Sequence, residues 1–374
     1  MNNKPKKILM AVTTDVVSDM RVQKVCHFLN SVSCNVLVIG RKLPSSFIKE
    51  LPFKVKLLNL PFSKGILFYI SFNLTFFFRG LFIKADIIVA NDLDTLLPCF
   101  ILSKLKKCDL VYDSHEYFTE SAGLIGKHYK KKVWEAIEKW IFPKLNSIIT
   151  VNETIANIYL QKYGRKIHIV KNIPPLLLPK KIKSKEDLGI NSTSKTIVLQ
   201  GGFIDKDRGG IELIQAMQFI KSDIQLVVIG AGQEIPLMKS LTTDLNLSNK
   251  ILFIPKIPSD QLIQYTLNAD LGISIDKATN LNYKFSLPNK LFDYMRSEVP
   301  ILISNLPELI KIHEKYPFGL ILHSHDPRHI ASKIEASLNS PDYYEWKKNL
   351  AIASKEYTWE NELKVLHLVY DKLL

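Results

Sequence analysis

The sequence predicts an α/β chain built from two doubly wound, Rossmann-like domains. Three observations carry this. The chain has 374 residues, too many for one ordinary core and enough for two. Short runs of Val, Ile and Leu alternate with longer amphipathic stretches, the pattern of parallel strands linked by helices. Near the middle the alternation breaks at Asn172-Ile-Pro-Pro-Leu-Leu-Leu-Pro179, through which neither a helix nor a central strand continues.

Before the break, strands are predicted at 8–13, 35–39, 55–58, 86–90, 110–112, 148–151 and 168–170. After it they are predicted at 196–200, 225–229, 251–254, 271–275, 300–303 and 319–322. Helical patterns fill the intervals, and a last helix runs from Trp359 to the C-terminus with Thr358 as its N-cap. The expected domains are 1–173 and 174–357, with 358–374 returning to the first. No solenoid repeat or low-complexity tract is present.

Charge is unevenly placed. Residues 1–173 hold 26 Lys and Arg against 13 Asp and Glu, whereas residues 174–374 hold 24 against 23. The basic first half fits either an anionic partner, such as phospholipid or a lipid-linked phosphate, or a solubilising lysine surface. Nucleic acid is not the expected partner, since no RNP, helix-turn-helix or zinc-finger signature occurs. Cys26, Cys34, Cys99 and Cys108 form no CxxC pair and read as buried thiols of a reducing compartment. The apolar run 8–12 is too short for a signal peptide core. The stretch 66–83 is the most hydrophobic, yet Asn73 and Arg79 interrupt it, and its uncharged core is shorter than the roughly 20 residues of a spanning helix. It is expected to pack on a sheet, at most grazing a bilayer. The segment 127–142 projects as a helix with Tyr129, Val133 and Trp140 on one face and Lys127, Lys131, Lys132, Glu135 and Glu138 on the other. It either packs on its own sheet or touches anionic membrane through its lysines. The expected location is the cytoplasm, free or peripheral on the inner membrane face.

Ligands of open parallel sheets bind beyond the carboxyl ends of the strands. Asp15, Asp92, Asp94, His115, Glu116, Gly201 and Gly202 all follow predicted strands. Ser286-Leu287-Pro288-Asn289-Lys290 opens a predicted helix whose first N–H groups would face an anion, with Lys290 and Asp293 on one helical face. Asp293, about one turn deeper, suits ribose hydroxyls. In Gly201-Gly-Phe-Ile-Asp-Lys-Asp-Arg-Gly-Gly210, glycines admit a phosphate and Arg208 can neutralise it. There is no GxGxxG and no Walker lysine, which weighs against NAD and ATP. The pairs Asp92/Asp94 and Asp205/Asp207 are too few oxygens for a hard cation, so no metal and no cofactor is expected. Asp92 and Asp94 instead line the acceptor side or cap a helix starting at Thr95.

Taken in order, Asp113-Ser-His-Glu116, Thr150-Val-Asn-Glu153, Lys171-Asn-Ile-Pro174, Gly201-Gly-(x)5-Arg208-Gly209 and Ser286-Leu-Pro-Asn-Lys-Leu-Phe-Asp-Tyr-Met295 resemble glycosyltransferase family 4. The resemblance is specific in the second half and looser before residue 86. It implies a GT-B fold, with the two domains facing across a cleft, and retaining, metal-independent transfer from a UDP- or GDP-sugar to a glycan or lipid-linked acceptor. Most bacterial members build cell-surface polysaccharide or glycolipid. Within that pattern His115 matches the histidine beside the transferred sugar, Arg208 a diphosphate cation and Asp293 the ribose acid. Two departures stand out. Phe285 occupies the place of the first acid of the family's pair, and Phe203 that of a second diphosphate arginine. Lys290 is expected to compensate for the missing cation. A nucleotide-sugar epimerase of the same fold is the alternative enzyme; a basic nucleic-acid-binding protein is a weaker one.

Overall fold

A computed structural model describes residues 4–17, 19–43, 51–175 and 179–374; residues 176–178 of the predicted proline-rich break lie outside these. The chain forms two compact units, Met1–Asn172 with Glu362–Leu374, and Ile173–Asn361.

The first unit contains β1 (Lys7–Ala11), α1 (Met20–Ser31), β2 (Asn35–Arg41), β3 (Lys54–Leu58), α2 (Gly65–Leu81), β4 (Ile87–Asn91), α3 (Leu93–Lys106), β5 (Asp109–Ser114), α4 (His128–Ile141), β6 (Ser147–Thr150), α5 (Glu153–Tyr163) and β7 (His168–Ile169). The second contains β8 (Lys195–Gly201), α6 (Gly210–Ala216), β9 (Ile224–Gly230), α7 (Ile235–Asp244), β10 (Ile251–Ile254), α8 (Ser259–Leu267), β11 (Leu271–Ser274), α9 (Leu281–Lys284), α10 (Asn289–Arg296), β12 (Ile301–Ser304), α11 (Pro307–Lys315), β13 (Gly319–Leu322), α12 (Pro327–Leu338) and α13 (Tyr343–Glu356). The last helix, α14 (Trp359–Tyr370), starts in the second unit and ends in the first. There His367 and Tyr370 pack on Phe28, with ring centroids 4.8 and 5.9 Å away.

Every predicted strand is present, and each sheet is parallel throughout. Their orders are β3-β2-β1-β4-β5-β6-β7 and β10-β9-β8-β11-β12-β13. Both sheets therefore reverse direction once, between β1 and β4 and between β8 and β11. Helices cover both faces of the second sheet: Ile197 and Leu199 of β8 join one apolar cluster, and Val198 between them joins the other. Burial on both sides is why these strands read as unbroken apolar runs.

Helix ends follow local chemistry. The Asp19 carboxylate accepts the Val22 amide, Asn152 accepts that of Ile155, and Gly164 closes α5 in the left-handed conformation. The Thr358 hydroxyl accepts the Asn361 amide at 3.2 Å. Several expectations need correction. β1 ends at Ala11, two residues short of the predicted end, and beyond it the Thr13 and Thr14 hydroxyls donate to Asp94 and Asp19. α3 starts at Leu93, not Thr95, and Asp92 stands at its N-cap position without capping, because its carboxylate is engaged elsewhere. Glu138, placed on the solvent face of α4, is fully buried, where it accepts from Lys162, Tyr163 and Tyr159. Cys108 is half-buried, unlike the other three cysteines. No helix among the described residues is long and apolar enough to cross a membrane.

Candidate functional site

Each sheet gathers its chemistry at its own reversal point. In the first unit, β1 leads into Thr13, β4 into Asp92 and Asp94, and β5 into His115. The Thr13 hydroxyl donates to Asp94 Oδ2 at 2.5 Å, while the buried Oδ1 has no hydrogen-bond partner among the described residues. The Asp92 Oδ1 accepts the His115 amide at 2.7 Å. The His115 ring lies between two carboxylates, its Nδ1 3.4 Å from Asp92 and its Nε2 3.6 Å from Asp113. Asp113 is fixed in turn by Arg21 of α1, whose Nη2 donates to it at 2.6 Å and whose Nη1 donates to the Val170 carbonyl at 2.7 Å. Both partners are 2% exposed.

Burial of this many charges shifts their protonation. Burial pulls the His115 imidazole down, but Asp92 and then Asp113 outweigh it and push it up to about 9. Asp94 is pushed up to about 8 by burial and by the charge of Asp92, against the Thr13 hydrogen bond. Burial also raises Asp92, with His115 opposing. Burial alone would raise Asp113, yet Arg21 and His115 hold it below the usual carboxylate range. Both shifts favour the protonated forms, an imidazolium at His115 and a neutral carboxyl at Asp94. Glu116 lies near enough to add to the shift of Asp94. Asp15 does not join the cluster through any of these contacts; it shapes its own turn, accepting the Val17 amide at 3.2 Å.

Asp92 sits at φ 59°, ψ 169°. That backbone region is essentially reserved for glycine.

In the second unit, β8 ends at Gly201 and β11 leads to Asp276. A Cβ built on Gly202 would meet no heavy atom within 4 Å among the described residues beyond its chain neighbours. Gly209 differs: its φ is 76°, and a Cβ there would lie 2.5 Å from the Ile275 carbonyl oxygen, so a side chain is barred on both counts. This close approach brings Arg208 beside the end of β11. The fully buried Asp276 binds two cations, Arg208 Nη1 at 3.2 Å and Lys290 Nζ at 3.3 Å. The Arg208 guanidinium also lies 4.3 Å from the centroid of the Tyr283 ring. Burial lowers the Lys290 ammonium below its ordinary range, and Arg208 adds to this against the pull of Asp276. Two cations on one carboxylate leave a net positive group, fit to receive an anion.

The remaining predicted residues surround this clamp. The Ser286 hydroxyl donates to the Tyr283 carbonyl at 2.8 Å, and Leu287 packs on the core. Pro288 stands at the N-cap position of α10, and Asn289 is its first residue. Asp293 accepts from Gln200 Nε2 at 3.0 Å and from Arg296, which also donates to the carbonyls of Pro174 and Pro175. Asp293 thereby ties α10 to the strand end and to the start of the unit. Asp205 accepts the Gln233 amide and Asp207 the Thr279 hydroxyl, so each shapes its loop. Among the described residues, no group of three or more His, Cys, Asp or Glu could hold a metal ion. Cavities of about 370 and 600 Å³ lie away from both clusters, beside Phe53 and beside Gln264.

Sequence reasoning missed four contributors. Asp276, Arg21 and Tyr283 act through pairings 68 to 92 residues apart or through ring stacking, which leave no local pattern. Lys256 lies 5.1 Å from the Phe203 ring, so a cation stands near the position where the family arginine is missing. The one available signal was an Asp directly after the apolar run that forms β11.

Two parallel α/β units, each with a polar cluster at its reversal point, are the GT-B architecture. Residues 180–356, all within the second unit, match the family model described as Glycosyl transferases group 1. Over its whole length the chain is similar in structure to a sucrose-phosphate synthase from Thermosynechococcus elongatus (TM-score 0.79, 17% identity, 98% of this chain and 99% of that one). It is also similar to a glycosyltransferase from Rickettsia africae (0.74, 15%, 99% and 99%). HepE of Anabaena, in complex with UDP and glucose, matches comparably (0.74, 14%, 98% and 100%). At such identities the likeness carries the fold alone. No curated protein matches in sequence.

Proposed function

We propose that the chain is a retaining sugar transferase of glycosyltransferase family 4, acting from a UDP- or GDP-sugar onto a glycan or lipid-linked acceptor. The observation that carries this is the Arg208–Asp276–Lys290 clamp, at the reversal point of the sheet inside the segment that matches Glycosyl transferases group 1. The HepE structure, which holds UDP and glucose, supports a UDP-sugar donor.

In this reading the second unit, 174–357, takes the donor and the first, 1–173 with 358–374, takes the acceptor. The sugar–diphosphate bond breaks and charge grows on the leaving diphosphate. Arg208, Lys290 and the first amides of α10 are the donors placed for that charge. The acceptor hydroxyl attacks from the face the diphosphate leaves, and its proton passes to the departing phosphate oxygen. His115, as an imidazolium, donates to a sugar hydroxyl and orients the transferred ring. Asp94 and Glu116 face the acceptor. The pathway proposed is bacterial cell-surface polysaccharide synthesis, with the enzyme peripheral on an anionic membrane through its first unit.

The test is a thermal-shift screen against UDP, GDP and ADP, since a ligand that binds only the folded state raises the midpoint. It is followed by product analysis with the matching nucleotide-sugar and mixed acceptors in excess EDTA. UDP or GDP should shift the midpoint, and product should require an acceptor. A new sugar nucleotide formed without acceptor would make the protein an epimerase, and no shift with any nucleotide would remove the donor reading.

A further inference from the structure

The first unit's positive charge does not lie at its strand ends, where Asp92, Asp94, Asp113 and Glu116 collect. It is spread over helices, strands and loops, and part of it surrounds one helix, α2. α2 buries one edge, Phe68, Phe72, Phe76 and Gly80, each four residues apart. On the opposite edge Ile66, Leu67, Ile70, Leu74, Phe78 and Leu81 are 38% to 58% exposed. Phe82, just past the helix end, is 89% exposed. At 3.6 residues per turn all seven fall within an arc of roughly 160° along about 25 Å of helix. The helix is thus apolar on both sides, and one side has no covering among the described residues.

The neighbouring helices also expose apolar side chains. Leu105 of α3 is 61% exposed, and on α4 Tyr129, Val133 and Trp140 are 76%, 42% and 50% exposed. Trp134 of α4 meets Tyr69 of α2 edge-on at 5.3 Å, which packs α4 against α2. A soluble monomer rarely leaves so much contiguous apolar surface in water.

The charged residues on α2 and directly flanking it in sequence are basic. Lys64 and Lys84 flank it, Arg79 lies on it, and the Lys106 ammonium donates to the Leu81 carbonyl at 2.9 Å. Lys104 and Lys107 are exposed beside Leu105. No Asp or Glu occurs from Gly65 to Ala85 or from Thr95 to Cys108. By contrast, the lysines of α4 are partly spent within the chain: Lys131 pairs with Glu120 at 2.5 Å and Lys127 donates to the Gly123 carbonyl.

We propose that α2, with the outer edges of α3 and α4, is a docking face for an anionic lipid bilayer, into which the apolar arc of α2 sinks while the surrounding lysines meet the headgroups. Apolar residues in one plane ringed by Lys and Arg, with an aromatic at the edge, match the interface between acyl chains and anionic headgroups. A second copy of the chain is the poorer occupant, because it would bring the same basic rim face to face. The inference rests on the peripheral-membrane part of the proposed function and not on sugar transfer.

The experiment is flotation of the full chain with phosphatidylcholine vesicles, with and without phosphatidylglycerol. The parent should float with the phosphatidylglycerol vesicles and much less with phosphatidylcholine alone. Leu74→Glu with Phe78→Glu changes only exposed positions and should lower partitioning at least about tenfold, with the circular dichroism unchanged. Lys64→Gln with Lys84→Gln and Lys107→Gln should lower it less and flatten its salt dependence. A parent that ignores both vesicles overturns the peripheral reading together with this face. A parent that floats while Leu74→Glu/Phe78→Glu floats equally overturns this face alone. A dimer that the double variant dissociates, with no vesicle binding, makes the occupant a second copy and overturns the proposal.

Discussion

The two units share a topology and differ in what they place at its reversal point. The first, with nearly all of the chain's net positive charge, puts carboxylates there and buries them among a histidine and an arginine. The second, almost neutral, puts two cations there on one buried aspartate. Net charge is therefore a poor guide to a site. In the first unit it describes residues spread over helices, strands and loops, whereas carboxylates gather where β4 and β5 end. The couplings differ too. Arg21 and Asp113 are both 2% exposed and part of the core, whereas Arg208 is 28% exposed and available to a ligand.

The largest expected effect separates these two ion pairs. Arg21→Met strands the buried Asp113 and should cost about 3–5 kcal/mol in chemical denaturation of the first unit. Arg208→Met, at the more exposed pair, should cost about 1 kcal/mol or less. Equal losses would erase the distinction. Next is His115→Ala, expected to lower turnover about a hundredfold while nucleotide affinity by calorimetry stays within about twofold. A matching loss of nucleotide affinity would break the division of labour. Lys290→Met, which keeps length and removes charge, should lower turnover at saturating donor about tenfold, or ~1.4 kcal/mol of barrier. Parental turnover would leave Arg208 and Lys256 as the cations that matter.

The smallest effect is a pH dependence of the first unit. Asp94 and His115 both hold a proton more tightly folded than unfolded, with values raised from 3.8 to about 8 and from 6.5 to about 9. Their stabilisation is complete below the ordinary values and is lost as pH climbs through the raised ones. The thermal midpoint of this unit should thus fall by a few degrees from about pH 6 to about pH 9. Asp94→Asn, fixed in the neutral form, should flatten the earlier part of that fall. A parental profile that rises over this range would contradict the assignment.

Most of the thirteen strands were legible because a strand buried on both faces must be apolar throughout, and no distant information is needed to see it; the edge strands β3 and β7 are only partly buried and were legible from their place in the alternation. The site was legible only in part. Glycines and charged residues just after strands marked both reversal points, since topology sends ligands there. What they touch was not legible: the partner of Arg208 lies 68 residues away and that of Arg21 lies 92 away. Spacing placed Asp293 on the face of Lys290, and α10 holds both, but spacing could not show that the strand-end Gln200 and the next-turn Arg296 donate to its carboxylate. On α4 the same reasoning put Glu138 in water, because a sequence does not show that three donors from α5 wait for it.

The backbone of Asp92 carries a last consequence. An L-residue held in a conformation that suits glycine stores about 1–3 kcal/mol of strain. Selection for heat resistance alone should then erode this position in a predictable way. Asp92→Gly relaxes the main chain and should match or exceed the parent in thermal midpoint, whereas Asp92→Ala keeps the strain, drops the bond to the His115 amide and should melt lower. Both should lose activity, for the imidazole would keep only one of its two flanking acids. Residue 92 would then be a point where durability and competence are selected in opposite directions, and a library sorted first for one and then for the other should return different residues there.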